Sequence, residues 1–199
     1  MDRATPVLNQ PAPDAIGLLL TRRSGSAKAM KEPGPNASEL QTILTAAARV
    51  PEHGKLFPWR FILFEGDARA RMGELLAQAL KQTDPDAATP ERLDMERARF
   101  LRAPVIVGVV SRVRDGIPIP VWEQQLSSGA VCQTMLLAAT SMGYVANWLT
   151  EWPAFNPRVA EALGLGEGER IAGFVYIGTS AVTLEERVRP DLSKIVTAF

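Results

Sequence analysis

The chain holds a single cysteine, Cys132, and a single histidine, His53, in 199 residues. One thiol excludes an internal disulfide and any metal site built from several cysteines. With no second histidine and no cysteine beside it, His53 makes a poor metal ligand, and no metal is expected. Net charge is also missing: 22 Lys plus Arg balance 22 Asp plus Glu. That balance gives no electrostatic case for nucleic acid or an anionic membrane as a partner. No stretch approaches the ~18 uninterrupted apolar residues of a membrane helix. The N-terminus, with Asp2, Arg3, Pro6, Pro11 and Pro13, lacks an apolar core of signal-peptide length. The expectation is a soluble, cytoplasmic protein. Several catalytic signatures are absent too. No GxGxxG follows a strand. Gly164-Leu165-Gly166-Glu167-Gly168 follows a helix and lacks Gly-Lys-Ser/Thr, so it is discarded as a phosphate loop. There is no Ser-His-Asp or paired-carboxylate pattern, and Cys132 lies in an apolar helix that would raise its pKa and blunt it as a nucleophile.

What is present suits one ordinary core. Hydrophobic residues make up 46% and charged residues 22%, which argues against wholesale disorder. Residues 1–13 read as a loose leader and 14–199 as a single domain. Asp14 is expected to cap a helix through Ile16 and Leu20 to Arg22. Ser38, with Gln41 at capping-box spacing, is expected to start a helix carrying Leu40, Ile43, Leu44 and Ala47. Phe61–Phe64 reads as a buried strand. Asp67 is expected to cap a third helix, and residues 91–102 read as a solvated one. Val105–Val110 is the clearest buried strand. Trp122–Met142 is the longest helical candidate, ended by Gly143 in the left-handed conformation. Tyr144–Trp148 is extended, Asn156-Pro157 starts a helix ended by Gly164, and Ile171–Gly178 is another strand.

Two stretches ask for a second copy of the chain. After Gly129 the long helix is apolar nearly all round, and such a helix must be covered on every side. Ser127, Ser128, Gly129 and Ala130 are small enough to let another helix approach closely. The tail from Thr179 ends in Ile195, Val196 and Phe199, which need a surface to lie on.

The chemistry concentrates in Arg49-Val50-Pro51-Glu52-His53-Gly54-Lys55-Leu56-Phe57-Pro58-Trp59-Arg60-Phe61. This stretch joins a helix to a strand, since Pro51 cannot continue the helix. It sets cations and the imidazole at the mouth of a core, where loops tend to bind ligands. Arg22-Arg23-Ser24 suits a phosphate, because guanidinium binds it in a fork. Taken alone, these cations are as well explained by offsetting a helix dipole. Trp122, Trp148 and Trp152 could stack on a planar ligand, though single aromatics more often fill cores.

The order of these motifs says more than any one of them. Arg22-Arg23-Ser24 comes first, then Ala48-Arg49-Val50-Pro51-Glu52-His53, then Pro58-Trp59-Arg60-Phe61, and last Gly173-Phe174-Val175-Tyr176-Ile177-Gly178-Thr179. The set resembles the nitroreductase family of FMN-dependent oxidoreductases, in particular its short, single-domain NAD(P)H nitroreductases. The likeness runs from Asp14 to Thr179. It implies an α+β fold, with a central, mainly antiparallel sheet flanked by helices, in an intertwined homodimer. Two FMN sites would lie between the subunits, with a C-terminal arm reaching the partner. By position, Arg22, Arg23 and Ser24 would hold the FMN phosphate and ribityl chain. Arg49 and His53 would meet the same FMN from the other subunit, with Lys55 nearby. Trp148, Leu149 and Thr150 would line the flavin, and Ala138–Gly143 aligns with a nicotinamide-binding segment. The implied activity is hydride transfer from NAD(P)H through flavin N5 to a small nitroaromatic or quinone-like acceptor. Its kinetics would be ping-pong, with no catalytic side chain. Departures stand out: Lys55 and Phe57 replace an Asn and a Gln common in relatives, Ser26 replaces a basic residue, and Leu149 replaces an Arg. Lys55 or Lys28 could supply the cation lost at Ser26. A flavoenzyme that oxidises or dehalogenates a specific metabolite, and a non-catalytic flavin-binding protein, remain open at this point.

Overall fold

The computed structural model describes residues 11–199, so the expected leader lies outside the described residues as far as residue 10. The helices are α1 (Pro13–Thr21), α2 (Ala37–Ala47), α3 (Asp67–Thr83), α4 (Pro90–Arg97), α5 (Val121–Ser141) and α6 (Pro157–Ala162). The strands are β1 (Met30–Lys31), β2 (Trp59–Phe64), β3 (Val105–Arg112), β4 (Val145–Leu149) and β5 (Glu169–Ser180). Every strand pairing among the described residues is antiparallel. The order runs β2, β3, β5, and the far edge of β5 is shared by β4 and β1.

β3 and β5 are apolar at nearly every position because the sheet is covered on both faces. Alternation sorts their side chains. Val105, Val107, Val109, Val175 and Ile177 point to one face, where Leu40 and Ile43 of α2 and Val131 and Met135 of α5 cover them. Ile106, Val110, Phe174 and Tyr176 point to the other, under Met72 and Leu76 of α3 and Val159 of α6. Phe100 anchors that second core, with ring centroids 5.0 Å from Phe64 and 5.1 Å from Phe174, both edge-on.

Local signals placed several boundaries and missed others. The Asn156 side chain accepts from the amides of Arg158 and Val159, and Pro157 opens α6, as expected. Gly143 (φ +87°) and Gly164 (φ +65°) follow helix ends in the left-handed region. At α2 the expected Ser38–Gln41 box is wrong. The helix starts earlier, so Asn36 accepts from Ser38 and Glu39 at 3.0 Å, while Glu39 accepts from the Asn36 amide at 2.8 Å. Asp14 and Asp67 do not cap either. They sit inside the first turns, behind Ala12 and Gly66, where a carboxylate still meets the positive end of the dipole.

Residues 91–102 are not a solvated helix. α4 stops at Arg97, a 3-10 turn (Arg99–Arg102) follows, and Glu96 and Arg99 are buried against one another. β2, β3 and β5 extend beyond their expected bounds, and β5 takes Thr179 and Ser180 from the expected tail. Along α5 the inner face is buried, while Trp122 and Leu126 stand exposed. Burial pushes the Cys132 thiol up to about 12, which leaves it inert.

One ion pair ties the sheet across three strands. Arg60 of β2 forks onto Glu169 of β5, with both N–O distances 2.7 Å, and the Gly166 amide donates to the same carboxylate at 3.0 Å. Hydrogen bonding from Arg60 holds the Glu169 carboxyl down at about 2. A carboxylate lowered on folding stabilises above its unfolded pKa, and loses that contribution as pH falls through its folded value. Glu169→Gln should therefore lower stability at pH 7 by about 1–3 kcal/mol. In urea unfolding, the gap from wild type should stay constant above pH ~5 and close on further acidification. A gap that widened in acid would remove the pair from this role.

Candidate functional site

The loop between α2 and β2 is held on the first half of α5. Its two prolines leave carbonyls beside the helix, and buried carbonyls need donors. Ser127 Oγ donates to the Pro51 carbonyl at 3.0 Å, and Ser128 Oγ donates to that of Pro58 at 2.8 Å. Those serines were expected to admit a second helix; they hold this loop instead. Inside the loop, Glu52 accepts from the amides of Leu56 at 2.7 Å and Phe57 at 3.4 Å. His53 Nδ1 lies 3.0 Å from Glu123 of α5. Arg49, His53 and Lys55 are exposed. Pro51, His53, Glu123, Leu126 and Ala130 border a cleft of about 460 Å³.

Arg22-Arg23-Ser24 lies elsewhere, where α1 ends. A Cβ on Gly25 would come 2.9 Å from that of Val145, which follows the far end of α5. Arg22 Nη1 is 3.4 Å from Ser24 Oγ. After β5 the chain folds back onto this turn. The Ala181 amide donates to the Ala29 carbonyl at 2.8 Å, Arg23 Nε donates to the Glu185 carbonyl at 2.7 Å, and Arg189 Nη2 reaches the Arg22 carbonyl at 3.4 Å. Glu186 pairs with Arg189 at 2.8 Å. Arg22, Arg23, Ser24 and Arg189 thus meet at this turn, with Arg189 also held by the Glu186 carboxylate, and guanidinium donors of this kind suit a phosphate. Sequence reasoning missed Arg189 and its neighbour Arg187. The Arg-Val-Arg-Pro run was the available signal, but only the returning chain shows where it goes.

Trp148 and Leu149 of β4, with Thr150 after it, lie between these places. Trp148 Nε1 donates to the Ala172 carbonyl at 3.0 Å, and its ring crosses the backbone at Gly173. Leu149 packs toward the second core, and Thr150 is exposed. Ala138–Gly143 forms the last turn of α5 and its cap. Trp152 is half-buried in the core, whereas Trp122 is exposed. A cavity of about 750 Å³ is bordered by Ser111, Asp115, Gln125, Glu167 and Arg170, and no predicted site residue lines it. No group of three or more His, Cys, Asp or Glu suited to a metal occurs among the described residues.

From Glu123 to the end of α5 is roughly 25 Å at 1.5 Å per residue. Within one copy, the arginine-rich turn and the His53 loop therefore lie toward opposite ends of α5.

An antiparallel sheet between helical layers, with an arginine-rich turn near one end of α5 and a basic loop near the other, defines an α+β protein. The model of the "Nitroreductase family" matches residues 19–179, and the chain belongs to that family. It is 35% identical over 187 residues to "Putative NAD(P)H nitroreductase YdjA" of Escherichia coli (strain K12), covering 94% of this chain and 100% of that one. A nitroreductase-like family protein from Bacillus cereus superposes with a TM-score of 0.82 at 23% identity, over 96% and 98% of the two chains. A nitroreductase with bound FMN from Bacteroides fragilis gives 0.68 at 20% identity, over 94% and 100%.

A Cβ on Gly173 would lie 1.9 Å from Trp148 Nε1, so Gly173→Ala must displace the indole. The variant should lose about 1–3 kcal/mol of stability and show an altered near-ultraviolet tryptophan dichroism. An unchanged spectrum would mean that Trp148 is not seated on this glycine.

Proposed function

We propose that the chain is an FMN-dependent NAD(P)H oxidoreductase of the nitroreductase type, working in the cytoplasm as a homodimer whose two copies share each flavin. The observation that carries this reading is the division of the site along α5. The two groups lie toward opposite ends of one helix, which supports a site assembled between two copies. The name of the Escherichia coli relative and the FMN bound in the Bacteroides fragilis structure support the cofactor.

The residues fit the group. Arg22, Arg23, Ser24 and Arg189 hold the phosphate through charge-assisted hydrogen bonds. Trp148, Leu149 and Thr150 line the ring system of that copy. Arg49, His53 and Lys55 of the second copy close the site from across the interface. Exposed Leu192, Ile195, Val196 and Phe199 rest on that second copy as the C-terminal arm. Bound FMN supplies a hydride carrier between NAD(P)H and a small nitroaromatic or quinone-like acceptor. The chain's part is to position the two reactants in turn on one face, which gives ping-pong kinetics. Lys55, or Lys28 beside the arginine cluster, places positive charge where negative charge gathers on reduction. A flavin carrier without turnover is the rival suggested by Leu149 and Ser26. Bleaching of the bound flavin by NADH or NADPH under anaerobic conditions separates the two.

Arg22→Ala should weaken FMN binding by about 10- to 100-fold in a fluorescence titration, the effect of one lost charge-assisted contact. Co-expressing Arg22→Ala with Arg49→Ala/His53→Ala chains should rebuild one intact site per mixed dimer. Such dimers would retain one FMN where neither parent holds any. A colourless wild-type monomer, or mixed dimers as empty as their parents, would refute the shared site.

A further inference from the structure

Beneath the end of β4 lies a buried ionic cluster with no place in the site described so far. Glu96 is wholly buried, and both its oxygens are bound by Arg99, at 2.5 and 2.9 Å. Arg92 adds a bond at 2.7 Å. Arg99 has one terminal nitrogen left, and this donates to the carboxylate of Glu151. Arg102 lies 3.7 Å from the same oxygen. Two cations, Arg92 and Arg99, bind the one carboxylate of Glu96, and Arg102 faces Glu151, so the cluster is short of negative charge until Glu151 supplies it. An unpaired buried guanidinium is costly, and Glu151 is thereby drawn inward.

Glu151 is also where the backbone is least at ease. Its φ is +51° and its ψ −175°, a region that glycine occupies almost alone. Trp148-Leu149-Thr150 immediately precedes it, and a 3-10 turn (Trp152–Ala154) follows, carrying Trp152 into the core. The twist at Glu151 therefore sets the angle at which Thr150 leaves the sheet edge. A glycine would adopt this conformation freely but would not fix it; a glutamate adopts it only while something holds it.

We propose that Glu151 is a positioning residue, clamped by Arg99 and Arg102 so that Leu149 and Thr150 meet the flavin in one orientation. This rests on the reading that the Trp148–Thr150 segment lines FMN. It makes the 3-10 turn after α4 (Arg99–Arg102) a support of the redox site.

Two substitutions separate backbone from charge. Glu151→Ala removes the carboxylate that holds the twist and keeps the steric cost of adopting it, whereas Glu151→Gly removes both the carboxylate and that cost. In FMN titration by fluorescence quenching, Glu151→Ala should bind about tenfold more weakly, with altered visible circular dichroism of the bound flavin. Glu151→Gly should recover to within about threefold of wild type. Should Glu151→Ala fail to fold, Glu151→Gln takes its place, keeping shape but not charge, and should show the same direction of change. Wild-type affinity and dichroism in Glu151→Ala, or in Glu151→Gln where that is used, would overturn the proposal. So would a Glu151→Gly protein no better than Glu151→Ala, because the carboxylate would then act directly. Wild type that binds no FMN would instead refute the functional reading itself, so the two failures are distinguishable.

Discussion

Helix α5 is 21 residues long, and its two ends attend to different business. Near its start it pairs with His53 and carries the Pro51–Pro58 loop on two serines. Past its end, β4 packs against the turn that presents Arg22-Arg23-Ser24. A helix is a rigid spacer, so the distance between these groups follows from residue count alone. Bending cannot bring them together, because the same helix is buried along the sheet through Val131, Cys132, Met135, Leu136 and Ala139. The core thus keeps the two groups at opposite ends of α5 within one chain. The exposed Trp122 and Leu126 and the uncovered C-terminal residues supply apolar surface for a second chain to bury.

The inner face of α5 changes character along its length for the same reason. Its apolar half meets the sheet, while its first turns are buried but polar. Gln124, 2% exposed, accepts from the Arg114 amide at 2.8 Å and donates to the carbonyls of Arg114 and Ile119 at 2.9 and 3.0 Å. Ser128 donates to Pro58 and lies 3.2 Å from Ser111 of β3. Buried polar groups cost little once bonded and a great deal when not. Two proline-rich loops without regular backbone pairing are therefore fixed as firmly as strands, which is what positioning a ligand requires.

What could be read in the sequence was whatever depended on near neighbours. Apolar runs gave β3 and β5, and Asn156-Pro157 and Gly143 gave helix ends, because each signal acts within a turn of itself. At α2 two overlapping boxes, Asn36 with Glu39 and Ser38 with Gln41, were locally equivalent, and the choice fell to where the first turn actually closes. Residues 91–102 looked solvated because their charges are dense. Glu96 and Arg99 are buried as a pair, and the remaining Arg99 nitrogen is met by Glu151, 52 positions from Arg99 along the chain. Arg189 escaped notice likewise, since its meaning lies in the carbonyl of Arg22, 167 positions away. The ordered motifs pointed to the family; the long-range ion pairs and the returning tail did not show in any window of sequence.

Backbone strain bears on function through its distribution. Among the described residues, three that are not glycine have positive φ: Lys55, Phe57 and Glu151. Two sit in the loop at one end of α5, and the third ends the segment between the half-sites. Each is restrained by a carboxylate. Glu52 accepts from the amides of Leu56 and Phe57, and Glu151 is clamped through its own side chain. Strain costs about 1–3 kcal/mol per residue and persists only where surrounding contacts over-determine it. Random wear would scatter such residues over turns throughout the fold; here they flank the proposed ring site on both sides. Lys55 and Phe57 are also two of the positions at which the sequence is expected to depart from the family pattern. The departures therefore fall in backbone that is held, so the side chains they introduce are aimed rather than loose. That is the arrangement expected if they tune which acceptor the site takes while the phosphate cradle stays as it is.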